Sequence, residues 1–234
     1  MEQPKLFVFA GPNGAGKSTL SATMLPSGTP VFDGDKELAR LRQQFPGLDS
    51  GNLYDAVNGH IFANWKEQVQ AKRMDCAFET NFRSADVMST VQEFKDKGYQ
   101  AQLIYFGLDS LEASIERVHA RVAMGGHAVA LDNITANYNE GFKNLEKHFE
   151  EFDNVLLVRS FTEDNQQRLK LHPYLKIEQG QVKEQAEQIP DWANKLVRRI
   201  EQKQQQRQSL IQKKDRDPGE DLDQGYDRGP SIGR

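Results

Sequence analysis

The chain has 234 residues, of which 37% are hydrophobic and 27% charged, and its net charge is −4. At about 150 residues per domain this is one large domain, or one domain with an appendage. A net negative chain disfavours a general nucleic-acid-binding surface, no apolar run approaches the ~20 residues of a membrane-spanning helix, and a lone cysteine, Cys76, excludes an intramolecular disulfide or a multi-cysteine zinc site. The opening MEQPKLFVFAGPNG has only a short apolar stretch and does not read as a secretory signal, so a cytoplasmic location is expected.

In chain order, Lys5 to Ala10 reads as a short buried strand, followed by a glycine-rich turn and a helix from Lys17 to Leu25. Pro30 to Phe32 is a second strand, ending in Asp33-Gly34-Asp35, and a helix follows over Lys36 to Gln44. Asn52 to Arg73 has apolar residues at intervals of four and reads as one long helix. Strands at Asp75 to Phe78, Ala101 to Leu108 and Asn154 to Arg159 alternate with helices at 85–97, 110–122 and 132–150. Such alternation predicts an α/β fold, a parallel sheet flanked by helices. RLKLH, YLKIE and QVKEQ then read as short strands or a hairpin, and Ile189-Pro190-Asp191-Trp192 starts a helix with Trp192, Leu196 and Ile200 on one face. From Glu201 the apolar period is lost. This predicts a domain over 1–200 and a disordered polar tail over 201–234.

GPNGAGKS, Gly11 to Ser18, matches the phosphate-loop pattern G-x-x-x-x-G-K-[ST], between a strand and a helix as that motif requires. The expected cradle comprises Gly11, Pro12, Asn13, Gly14, Ala15, Gly16, Lys17, Ser18 and Thr19. Its glycines allow successive N–H groups to face phosphate oxygens. Lys17 reaches the β- and γ-phosphates, and Ser18 is the magnesium ligand. The cofactors expected are therefore ATP or GTP with Mg2+.

Carboxyl ends of parallel strands line the ligand crevice. A carboxylate there, such as Asp35, can take a proton from an incoming hydroxyl or hold magnesium through water, or Asp35 can simply cap the next helix; Asp33 reads as the more structural of the two. Glu79, Thr80, Asn81 and Arg83 leave the third strand together, as a polyhydroxylated ligand would need, or as a capped helix start. Asp109 reads as a helix cap more than as a metal ligand. Arg117 and Arg121, four residues apart before Gly125-Gly126, suit a mobile lid that neutralises charge on a transferring phosphoryl group. The alternative is a solvated face pairing with Glu112 and Glu116. His127 either contacts nucleotide or closes the turn, and the other histidines have no metal-ligand spacing.

Taken in order, GPNGAGKST, the D-x-D at Asp33 to Asp35, FETNFRS, ERVHARVAMGGHAV and IPDWA resemble the zeta toxin family of bacterial toxin–antitoxin systems, over about residues 4 to 200. The resemblance implies a polynucleotide-kinase-like P-loop fold. It implies a kinase acting on UDP-N-acetylglucosamine, with Asp35 as general base, Glu79 and Asn81 as acceptor ligands, and Arg117 and Arg121 as transition-state arginines. It also implies a small helical antitoxin covering the nucleotide site. Relatives commonly carry arginines just before a tyrosine in the helix after Gly-Gly-His, whereas this chain has Ala136-Asn137-Tyr138. Another hydroxyl acceptor (a nucleotide, an antibiotic or a polynucleotide end) or a non-catalytic nucleotide-binding regulatory module are the competing readings.

Overall fold

The computed structural model describes residues 3–162 and 169–216. Its centre is β1 (Lys5–Ala10), which lies parallel to and between β3 (Cys76–Thr80) and β4 (Gln100–Gly107). β2 (Val31–Phe32) extends the parallel sheet beyond β3, and β5 (Asn154–Thr162) extends it beyond β4. β6 (Leu169–Glu178) and β7 (Gln181–Gln185) add an antiparallel hairpin, giving the order β2-β3-β1-β4-β5-β6-β7. The expected parallel α/β sheet and C-terminal hairpin are both present.

The apolar strands are buried on both faces, as parallel strands flanked by helices must be. Leu6, Val8 and Ala10 of β1, with Leu103 and Tyr105 of β4, join one core; Phe9, Ile104 and Phe106 join the other. β6 is one strand where two were expected. Val158 pairs with Pro173 and Leu157 with Leu175, so the strand bulges at Tyr174, and the bulge accommodates Pro173.

Between the strands lie α1 (Lys17–Leu20), α2 (Gly34–Gln44), α3 (Ser50–Ala56), α4 (Phe62–Ala71) and α5 (Asp86–Asp96). α6 (Leu111–Ala123), α7 (Leu131–His148) and α8 (Asp191–Arg216) complete the helices. Two differ from the sequence reading. The helix expected over 17–25 is α-helical for one turn and tightens into a 3-10 turn at Ser21–Met24. The long helix expected over 52–73 is α3 and α4 joined by a π-helical turn, Val57–Ile61. π turns interrupt helices most often where a site is built.

α8 packs Leu196 and Ile200 into the core as expected, and Trp192 fills the space over Gly107, where a Cβ would lie 2.1 Å from the indole. The expectation of a disordered tail from 201 does not hold for 201–216, which continue α8. Gln, Lys, Arg and Glu are good helix formers, and Lys203 ties the helix to Glu150 and lies over the Phe149 ring. The rest of that tail, 217–234, lies outside the described residues. Among the described residues no helix is long and apolar enough to cross a membrane.

Candidate active site

The loop after β1 is shaped from behind. Gly11 has φ +137, and a Cβ there would lie 2.2 Å from the Phe106 carbonyl, so only glycine fits. The next carbonyls are strapped outward. Ser114 Oγ donates to the Asn13 carbonyl at 2.7 Å, Arg117 Nη1 to that of Gly14 at 3.3 Å, and Ser160 Oγ to that of Ala15 at 2.7 Å. In a planar trans peptide, an outward C=O turns the following N–H the opposite way. Gly14 and Gly16 thus aim their N–H groups at the cleft they line. Asn13 itself is buried, and its Oδ1 accepts from Asn137 Nδ2 at 2.7 Å.

Lys17 Nζ donates to the carbonyls of Gly11 (2.6 Å) and Pro12 (3.1 Å) and to Asn81 Oδ1 (3.1 Å). Burial pushes its pKa down to about 8, against the opposing pull of the Glu79 and Asp35 carboxylates. Ser18 Oγ donates to Glu79 Oε2 at 2.5 Å, and Ser21 Oγ to Glu79 Oε1 at 2.7 Å. Ser18 and Thr19 are exposed to the same cleft.

The two aspartates are sorted by the start of α2. The helix begins at Gly34, so Asp33 is its cap, accepting from the N–H groups of Asp35 and Lys36 at 3.1 Å each. Asp33 is 8% exposed, while the Asp35 side chain is 60% exposed and lines the cleft. Asp35 is therefore not the cap, and its carboxylate stays available. His127 lines the larger cleft with Asp35, and its Nε2 stands 3.9 Å from Asp35 Oδ2.

The segment after β3 is anchored by Phe82, whose ring is fully buried beside Phe152 although its backbone is left-handed (φ +56). Thr80 Oγ1 accepts from the Phe82 N–H at 3.0 Å, and Asn144 Nδ2 donates to the carbonyls of Phe82 and Arg83. Thr80 is thus engaged in the turn. Asn81 turns to Lys17, Glu79 to Ser18, and only Arg83 reaches outward, to Asn133 Oδ1 at 3.0 Å.

Arg117 and Arg121 share a helix but not a task. Arg117 donates to Gly14 O, to Ser160 Oγ at 2.9 Å and to Ser160 O at 3.1 Å, so it braces the phosphate loop and is no swinging lid residue. Burial and the neighbouring Arg159 lower its basicity. Arg121 donates to the His127 carbonyl at 3.1 Å, lines the cleft and lies near enough to Lys17 to depress its basicity. Asp109 is not a helix cap: Ser110 caps α6, accepting from the Ala113 N–H, and Asp109 pairs with Arg159 at 2.8 Å.

Two clefts meet here. One, of about 540 Å³, follows the phosphate loop; the other, of about 1170 Å³, runs past Arg83, His127 and Asn133. Asp35, Glu79 and Asn81 line both. Ser21, Ser114, Asn137 and Ser160 were not among the expected site residues.

The sequence model of the zeta toxin family matches residues 1–174. The chain belongs to the zeta toxin family. An uncharacterized protein of Haemophilus influenzae is 26% identical over 136 residues, covering 58% of this chain and 94% of that protein. Among solved structures the chain is similar to the PezAT chromosomal toxin–antitoxin system of Streptococcus pneumoniae (TM-score 0.51, 20% identity, 73% of this chain and 71% of that one). It is also similar to the AvrRxo1-ORF1:-ORF2 complex with ATP (TM-score 0.57, 15% identity, 85% and 63%). The Pnkp1/Rnl/Hen1 RNA repair complex shares the fold at TM-score 0.51 and 18% identity, over 63% of this chain and 47% of that one. The fold is thus that of P-loop kinases, and membership in the zeta toxin family supports a kinase-like, ATP-using function.

Proposed function

We propose that this zeta toxin family member transfers the γ-phosphoryl group of ATP to an alcohol of a small acceptor. The acceptor we infer is a nucleotide sugar of the UDP-N-acetylglucosamine kind, held in the larger cleft. One observation carries the reading: an exposed, uncapped carboxylate, Asp35, stands where the phosphate cleft opens into a second, larger cleft. An alcohol entering from that side meets Asp35 before it meets the phosphate, so the carboxylate takes the hydroxyl proton as the oxygen attacks phosphorus.

Lys17 leaves the carbonyls of Gly11 and Pro12 to hold the β- and γ-phosphates. Arg121 neutralises the charge that spreads over the transferring group. Ser18 offers a hard oxygen donor suited to Mg2+, which when bound supplies charge neutralisation between the phosphates. GTP fits the same cradle, because the loop reads only phosphates. The family relationship supports an antitoxin partner for this chain.

The test is mass spectrometry of a bacterial metabolite extract incubated with protein, ATP and magnesium. A species heavier by one HPO3 unit identifies the acceptor. With D35N that species should disappear while ATP still binds. Its persistence with D35N would remove Asp35 as the base; slow ADP release with no new species would favour the regulatory-module reading.

A further inference from the structure

Glu79 bridges two serines. Its carboxylate accepts from Ser18 Oγ at 2.5 Å through Oε2 and from Ser21 Oγ at 2.7 Å through Oε1. Ser21 is buried, whereas Ser18 is exposed to the cleft. Glu79 is fixed from two sides. It is the penultimate residue of β3, held in register beside Phe9 of β1, and the Ser21 hydroxyl holds it from the 3-10 turn after α1. Its charge is also the largest that opposes the lowering of the Lys17 pKa by burial.

A hydroxyl that donates its proton to a carboxylate keeps its lone pairs for another partner. The Ser18 oxygen, with its proton committed to Glu79, is thus prepared to face a cation. A carboxylate beside the phosphate position also repels bare phosphate and attracts a divalent ion between them. Acceptor binding is the role the family resemblance implied for Glu79, and it explains none of these contacts.

We propose that Glu79 is a positioning residue for magnesium. It orients the Ser18 hydroxyl toward the ion and adds carboxylate charge to the ion's outer coordination sphere, and Ser21 holds it in place. This rests on the site being a metal-nucleotide site, as the phosphotransferase reading requires. It reassigns Glu79 from the acceptor to the nucleotide. The acceptor is then left to the wall made by Arg83, Asn133 and His127.

The test uses the full chain and no acceptor, so it reports on Glu79 whether or not phosphoryl transfer is the reaction. Binding of the β,γ-imido analogue of ATP is measured by calorimetry with Mg2+ and with EDTA. Wild type should bind more tightly with Mg2+. In E79Q that gain should shrink by about 10-fold to 100-fold, the range for losing a residue that orients a metal ligand. Binding in EDTA should hold or tighten. S21A, which keeps every charge, should lose a smaller part of the gain, and Mn2+ titration followed by electron paramagnetic resonance should show the same order. A full magnesium gain in E79Q would overturn the assignment and return Glu79 to acceptor binding. If E79Q does not fold, S21A decides: an undiminished gain there overturns the assignment.

Discussion

The two walls of the site are built on opposite terms. On the nucleotide side the backbone itself is the instrument, and three carbonyls in a row are strapped by buried or half-buried side chains from α6 and β5. On the acceptor side the working groups are exposed side chains on loops and helix starts, such as Asp35, Arg83 and His127. A phosphate presents the same oxygens in every nucleotide, so its cradle can be rigid and generic. An acceptor is particular, and its wall is assembled from residues that can vary without loosening the sheet.

Arg117 and Arg121 give the largest contrast, because one helix serves both walls. R121A should lower kcat by about 100-fold to 1,000-fold, the range for losing one preorganised donor to a transition-state charge. Its melting temperature should stay near wild type. R117A should do the reverse: a lower melting temperature and weaker ATP binding, because the Gly14 carbonyl and Ser160 lose their partner. Paired kcat and Tm measurements separate the two. If both variants lose kcat alike and keep their Tm, the arginines act together on the phosphate and the bracing role falls.

The same contrast governs what the sequence made legible. The phosphate loop could be read because glycine spacing determines backbone shape, and Gly11 tolerates nothing larger. Asp33 and Asp35 were separable in principle, since a cap precedes its helix; the start of α2 at Gly34 decided which was which. The arginine pair was misleading because spacing by four fixes a face but not a depth. On α6 the same face meets the phosphate loop at Arg117 and open cleft at Arg121. Asn137 stood out only as a departure from the arginines of relatives, and its contact left no trace. Its partner, Asn13, is 124 positions away, and local pattern cannot report a contact of that separation.

A change of pH should act on the nucleotide wall through Lys17. Burial sets Lys17 in the free protein at about 8, and bound phosphates favour its charged form. Below pH 8 the lysine is already charged, and ATP affinity should not depend on its proton. As pH rises through 8, the free protein loses a proton that the complex keeps. Affinity should then fall, by up to about tenfold per pH unit, until the complex's own higher pKa is reached. Calorimetry across this range in buffers of different ionisation enthalpy should detect the proton uptake. Constant affinity from pH 7 to 9.5 would mean that Lys17 stays charged without nucleotide.

The smallest expected effect falls where the two walls touch, on α7. Asn133 and Asn137 lie one turn apart, but Asn137 is buried against Asn13 of the phosphate loop and Asn133 is exposed, holding Arg83. The close approach of α7 is permitted by Gly141, where a Cβ would lie 2.8 Å from the Asn81 carbonyl. N137A leaves the Asn13 carbonyl oxygen of its side chain without its donor and should cost about 1–3 kcal/mol, seen as a Tm lower by about 2–4 °C per kcal/mol. N133A should move stability by no more than about 0.5 kcal/mol and should instead raise the KM for the acceptor by freeing Arg83. If N133A lowers Tm as much as N137A does, the acceptor wall is as structural as the nucleotide wall, and the division between them does not extend along this helix.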